Sequence, residues 1–222
     1  MTRDNPHLQQ RVEHYGVPVR DARVVVVLVH GRTITPEYMY EHVVQPLALD
    51  DVVFVAPAAA DDSWYPKGFL FPLEENQPGI DDTMELLDQV IGGLLDSGVL
   101  AQRLVLCGFS QGACAVSQYA SLHPRRWGGL IAFTGGLIGP PGTDWNIEGS
   151  FDGMPTYFST SDIDPFVPEF RVNESVEIFK AAGADVQVDL IIGREHEVSH
   201  AEIARAKAGA QGPARFPPVP RW

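Results

Sequence analysis

A three-layer α/β/α sandwich around a mostly parallel sheet follows from three features of this 222-residue sequence. From Arg23 onward, short β-branched runs alternate with stretches of helical length, the pattern of strands joined by crossover helices. The run VVVVLV, Val24 to Val29, is apolar without alternation, as expected of a strand covered by helices on both faces. A glycine-rich turn after Cys107 separates another apolar run from a small-residue helical run, and the alternation resumes beyond it.

The elements can be justified in order. After the first strand, Thr35, Pro36 and Glu37 supply a helix cap, a proline at the first helical position and an early acid, so a helix is expected from there toward Pro46. DVVFVAP is the next strand. The stretch AAADDSWYPKGFLFPLEENQPG has no clean period and is a long loop over one end of the sheet. IDDTMELLDQVIGGLLDSG restores helical spacing, with acids near its start and Gly98 near its stop. RLVLCGF is a central strand and QGACAVSQYASLH its helix. GGLIAFTGG and MPTYFSTS are further strands, PEFRVNESVEIFKAAG a helix, DVQVDLIIG the last strand and AEIARAKAG the last helix. One domain over 1–222 is expected, with a proline-dense tail at about 212–222 that is extended or disordered.

Composition narrows the function classes. A net charge of −13 opposes approach to the phosphates of nucleic acids or anionic bilayers. The polar start MTRDNPHLQQR has no apolar signal core, and the longest apolar run is far too short to span a bilayer. With only two cysteines, Cys107 and Cys114, there is no disulfide framework. A cytoplasmic protein without stable membrane association is expected, as a monomer or homodimer acting on a small molecule.

The turn reads Gly108-Phe109-Ser110-Gln111-Gly112, a G-x-S-x-G between a strand and a helix. That context places a serine on a sharp turn with the positive end of a helix behind it. Ser110 is therefore the candidate nucleophile, and it needs a base and an acid from later in the chain. His196 lies just after the last strand. Asp162 and Asp164 both lie just after MPTYF, and spacing does not separate them. Two backbone N–H groups should hold the oxyanion, those of Gln111 and of Arg32 in the segment VHGRT. His30 is read as a structural, hydrogen-bonded residue.

Together VHGR, SWYPKGF, EENQPGIDD, GFSQG, the D-P-x-V-P of residues 164–168 and GREHEVSH make the sequence similar to the phospholipase/carboxylesterase family of α/β-hydrolases, which includes acyl-protein thioesterases. The resemblance implies the α/β-hydrolase fold and cleavage of carboxylic esters or thioesters without metal or organic cofactor. It selects Asp164 as the acid beside Ser110 and His196, and makes Trp64, Phe69 and Phe71 pocket walls. The chain departs from the family at Thr33, where a small residue is common, and at Glu195, where glycine often precedes the histidine. A lactone or aromatic-pathway hydrolase with the same triad is the alternative reading, followed by a non-catalytic ligand-binding relative.

The stretch HEVSH, His196 to His200, also matches the zinc motif H-E-x-x-H. Zinc would need both histidines on one helical face. Ser199 and Glu202 form a capping-box pattern instead, so the helix should open after Ser199 and leave His196 in the preceding loop. No metal site is expected.

Overall fold

The computed structural model describes residues 3–211, and the expected tail at 212–222 lies outside them. Seven strands form one sheet in the order β1-β3-β2-β4-β5-β6-β7. They are β1 (Val12–Gly16), β2 (Val24–Val29), β3 (Val52–Pro57), β4 (Leu104–Phe109), β5 (Gly129–Phe133), β6 (Pro155–Ser161) and β7 (Asp185–Ile191). All pairings are parallel except that of β1 with β3. The antiparallel edge strand β1 was not among the expected elements. Its residues VEHYG are all exposed or half-buried, so no apolar signal marks them, and the backbone bonds to β3 carry the element.

The central strands explain their own sequences. Every residue of β2, β3 and β4 is buried. In β2, Val25, Val27 and Val29 enter one core while Val24, Val26 and Leu28 enter another on the opposite face. Each such side chain contributes roughly 1.5–3 kcal/mol on burial, so a polar residue anywhere in these strands would be costly. The first core packs against α3 (Gly79–Asp96), α4 (Gln111–Leu122) and α5 (Glu169–Ala181), the second against the helical run 36–47 and α6 (His200–Gln211).

The helix opened by Thr35 does reach Pro46, in three pieces: α1 (Pro36–Met39), a π-turn (Tyr40–Val44) and α2 (Gln45–Leu47). Thr35 caps it by accepting from the Tyr38 N–H. Within the π-turn the Gln45 N–H reaches back five residues to the Tyr40 carbonyl. Pro46 has no N–H to give and its ring crowds the preceding turn, which a widened turn relieves.

All parallel strands run the same way, so the loops after β2, β4, β6 and β7 meet at one end of the sheet, where ligands of open α/β sheets bind.

Candidate active site

Ser110 stands between β4 and α4 at φ +54°, ψ −119°, a backbone conformation a side-chain-bearing residue adopts only where its surroundings enforce it. The enforcement is tight packing behind the serine. A Cβ on Gly112 would lie 2.1 Å from the Val29 carbonyl oxygen, and one on Gly108 would lie 2.4 Å from the Gly112 backbone. Only glycine at 108 and 112 lets β4, α4 and the end of β2 approach this closely. The Ser110 N–H donates to the Phe133 carbonyl at 2.9 Å, leaving the hydroxyl free to face outward.

The hydroxyl donates to His196 Nε2 at 2.8 Å, and His196 Nδ1–H donates to Asp164 Oδ2 at 2.7 Å. The Asp164 side chain has no exposed surface. Its Oδ1 accepts the N–H groups of Phe166 and Val167, both at 2.9 Å. Burial alone would raise its pKa. The His196 hydrogen bond and those two amides outweigh that and hold the carboxyl below its usual value. Asp162, which spacing left level with Asp164, goes elsewhere: its Oδ1 accepts from the Gly193 N–H at 2.7 Å and ties the β6 loop to the β7 loop. The His196 ring lies against Phe109 and Phe166, with centroids 5.0 and 4.9 Å away.

Gln111 is the first residue of α4, so its N–H has no acceptor within the helix. Its side chain does separate work: Oε1 accepts the Trp64 N–H at 3.0 Å and Nε2 donates to the Tyr65 carbonyl at 2.7 Å. Arg32 also grips this loop, its guanidinium donating to the carbonyls of Tyr65 (2.7 Å), Pro66 (3.0 Å) and Lys67. Thr33, the departure from the family pattern, sits at φ +62° with its N–H donated to the Asp62 carbonyl at 2.8 Å. Among amides at the end of the β2 loop, Thr33 is thereby committed to that bond. His30 has both ring nitrogens engaged, Nδ1 with the Gly31 carbonyl (2.7 Å) and Nε2 with the Ala59 N–H (3.0 Å).

A cavity of about 430 Å³ opens over Ser110 and is walled by Tyr65, Phe69, Cys114, Phe166 and Val167, with Arg32 and Lys67 at its side. Two of the three expected walls need correction. Trp64 has no exposed surface; its indole N–H donates to the His30 carbonyl at 2.7 Å and the ring packs inside the core, so its neighbour Tyr65 faces the cavity instead. Phe71 is 47% exposed and packs beside Gly68, outside the cavity. Phe69 does line it. In a loop without period the sequence carries no signal of which of several consecutive aromatics turns inward. Cys114 is buried with its thiol pushed up to about 12, chiefly by desolvation, which makes it a packing group rather than a nucleophile.

His196 and His200 do not share a helix. α6 begins at His200, and Ser199 and Glu202 bond reciprocally: the Ser199 N–H and Oγ–H donate to Glu202 Oε2, both at 2.7 Å, and the Glu202 N–H donates to Ser199 Oγ at 3.4 Å. Glu195 and Glu197, either side of His196, are exposed.

Against known proteins, the phospholipase/carboxylesterase family pattern matches residues 16–209. The chain belongs to the phospholipase/carboxylesterase family. A crystal structure of a phospholipase/carboxylesterase from Dyadobacter fermentans superposes with a TM-score of 0.85 at 38% identity, over 90% of this chain and 95% of that one. Acyl-protein thioesterase 2 of Zea mays shares the fold, with a TM-score of 0.71 at 17% identity over 89% of this chain and 96% of that one. Among relatives by sequence, acyl-protein thioesterase 1 of Gibberella zeae is 28% identical over 145 residues, 60% of this chain and 58% of that protein. That of Eremothecium gossypii is 29% identical over 93 residues, 40% of this chain and 38% of that one. The chain thus matches about three fifths and two fifths of the length of these two thioesterases. The seven-stranded, mostly parallel sheet is the α/β-hydrolase fold of this family.

Proposed function

We propose that the protein is a serine hydrolase of carboxylic esters or thioesters. The observation that carries this reading is the unbroken relay from Ser110 through His196 to Asp164, with contacts of 2.8 and 2.7 Å, on the floor of a cavity. In this reading Ser110 Oγ attacks the acyl carbonyl carbon while His196 Nε2 takes its proton. Asp164 holds the Nδ1–H tautomer and stabilises the imidazolium as it forms. The tetrahedral oxyanion rests on the N–H groups of Gln111 and Arg32. Collapse breaks the bond to the alkoxide or thiolate, which leaves with the proton from His196. Water then gives a proton to His196 and attacks the acyl-serine, and Ser110 regains its proton as the acid departs. The family match and the 38% identical phospholipase/carboxylesterase support the assignment. Two free, buried cysteines are compatible with a reducing, cytoplasmic setting.

The test is labelling by a fluorophosphonate probe together with turnover of a panel of esters, thioesters and lactones. Labelling confined to Ser110 and abolished by Ser110→Ala, with turnover of simple esters or thioesters, is the expected result. Active protein that resists the probe would refute the nucleophile, and turnover of lactones alone would replace the substrate class.

A further inference from the structure

The loop carrying His196 is built around a buried charge that the proposed reaction does not use. Arg194 is 6% exposed and Glu202 has no exposed surface. Arg194 Nη1 donates to the carbonyls of Glu195 and Glu197, both at 2.6 Å, so one guanidinium nitrogen holds the carbonyls of the two residues that flank His196. Nη2 donates to Thr134 Oγ1 at 2.6 Å, just past the end of β5. The Arg194 carbonyl accepts from Ser161 Oγ at 2.6 Å, at the end of β6. Glu202 supplies the opposite charge 3.5 Å from Arg194 Nε, and its oxygens accept from Ser159 Oγ (2.5 Å) and from the Ser199 cap.

A buried ion pair stabilises a fold weakly, because desolvating both charges offsets their attraction. A pair retained for packing would have no need to spread its donors over the two carbonyls that bracket one histidine. We propose that Arg194 is a positioning residue for His196, with Glu202 as its buried counter-ion. The pair fixes the β7–α6 loop to the ends of β5 and β6 so that the imidazole meets Ser110 and Asp164 together. This rests on the hydrolase reading above. Lysine at 194 would keep the charge but present a single nitrogen, which cannot serve two carbonyls, Thr134 and Glu202 at once.

Arg194→Lys and Arg194→Ala are compared with wild type for kcat and KM on a p-nitrophenyl ester, fluorophosphonate labelling rate and thermal midpoint. Misplacing a catalytic group by about 1 Å costs on the order of 100-fold. R194K is therefore expected to lose at least about tenfold in kcat, with KM within about twofold and labelling slowed in parallel. Ethylguanidinium is expected to restore part of the kcat of R194A beyond any gain in its folded fraction, a recovery that a purely structural role would not give. R194K with wild-type kcat, or losses that only follow the unfolded fraction without rescue, would overturn the proposal. If both variants fail to fold, Thr134→Val decides: it removes one bond from Nη2 and keeps the ion pair, so lower kcat at constant KM supports positioning and unchanged kcat overturns it. Wild-type protein that does not label at Ser110 would instead overturn the hydrolase reading.

Discussion

Asp164→Asn is a one-atom change whose consequence the surrounding amides determine. Oδ1 of Asp164 accepts two backbone N–H groups, from Phe166 and Val167, at 2.9 Å each. An asparagine could satisfy both only with its carbonyl oxygen in that position, because an NH₂ group there would confront two donors. Its NH₂ must then occupy the Oδ2 position, 2.7 Å from His196 Nδ1. The imidazole is forced to accept at Nδ1 and carry its proton on Nε2, pointing at the Ser110 hydroxyl that it deprotonates in the proposed reaction. The wrong tautomer in a triad costs kcat about 10⁴-fold, or about 5.4 kcal/mol of transition-state stabilisation at ~1.36 kcal/mol per decade. KM should change little, since neither Oδ atom faces the cavity. Both amide bonds survive, so the thermal midpoint should move by only a few degrees. Steady-state hydrolysis of a p-nitrophenyl ester, with circular dichroism melts on the same samples, measures both. A D164N variant within tenfold of wild type would show that Asp164 does not set the tautomer of the base and would refute this reasoning.

Replacing Arg32 by Met leaves its backbone N–H in place and removes the guanidinium that holds the carbonyls of residues 65, 66 and 67. With about 1–2 kcal/mol of loop order lost, kcat/KM is expected to fall about 5- to 30-fold, and a variant with wild-type kcat/KM would show that the loop is held by other contacts. Stability should fall in mild acid. Burial lowers the pKa of both His7 and His30 from 6.5, so below pH 6.5 the unfolded chain binds protons that the folded chain resists. Stability is therefore full above pH 6.5 and declines as pH drops toward the folded-state values. Urea titrations at several pH values measure this, and His7→Gln, whose amide can accept from Ala60 N–H and donate to the Trp64 carbonyl as the imidazole does, should shrink the slope. A slope unchanged in His7→Gln would exclude His7 as its source.

The core of this fold is legible because it rests on side-chain hydrophobicity, which a sequence displays directly. β2, β3 and β4 announce themselves as unbroken apolar runs, and G-x-S-x-G announces the turn because two glycines there answer to backbone contacts under 3 Å. The Ser199–Glu202 cap is legible for the same reason: a side chain bonds to a backbone three residues away, at a spacing that can be read. β1 is not legible, since its residues are exposed or half-buried and its main support is a backbone ladder to β3, with Tyr15 packed against Tyr40. Asp162 and Asp164 could not be told apart by spacing because each finds a real partner across the same pair of loops, and the outcome depends on where the chain turns at Pro165.

The side-chain contacts around the site that escaped the sequence share one physical character. Gln111, Arg32 and Arg194 each hold a loop by its peptide groups: Trp64 N–H and Tyr65 carbonyl for the first, three carbonyls of residues 65–67 for the second, the carbonyls of Glu195 and Glu197 for the third. Every residue carries a peptide carbonyl, so such a grip imposes no residue type on the loop it fixes and leaves no motif there. What it does impose is a long, multidentate donor or acceptor at the gripping position. That places the constraint on residues adjacent to the reactive groups: Gln111 follows Ser110, Arg194 lies two before His196, and Arg32 is the proposed oxyanion donor. It follows that the 64–69 and 194–199 loops can change their outward side chains while the atoms around Ser110 keep their places.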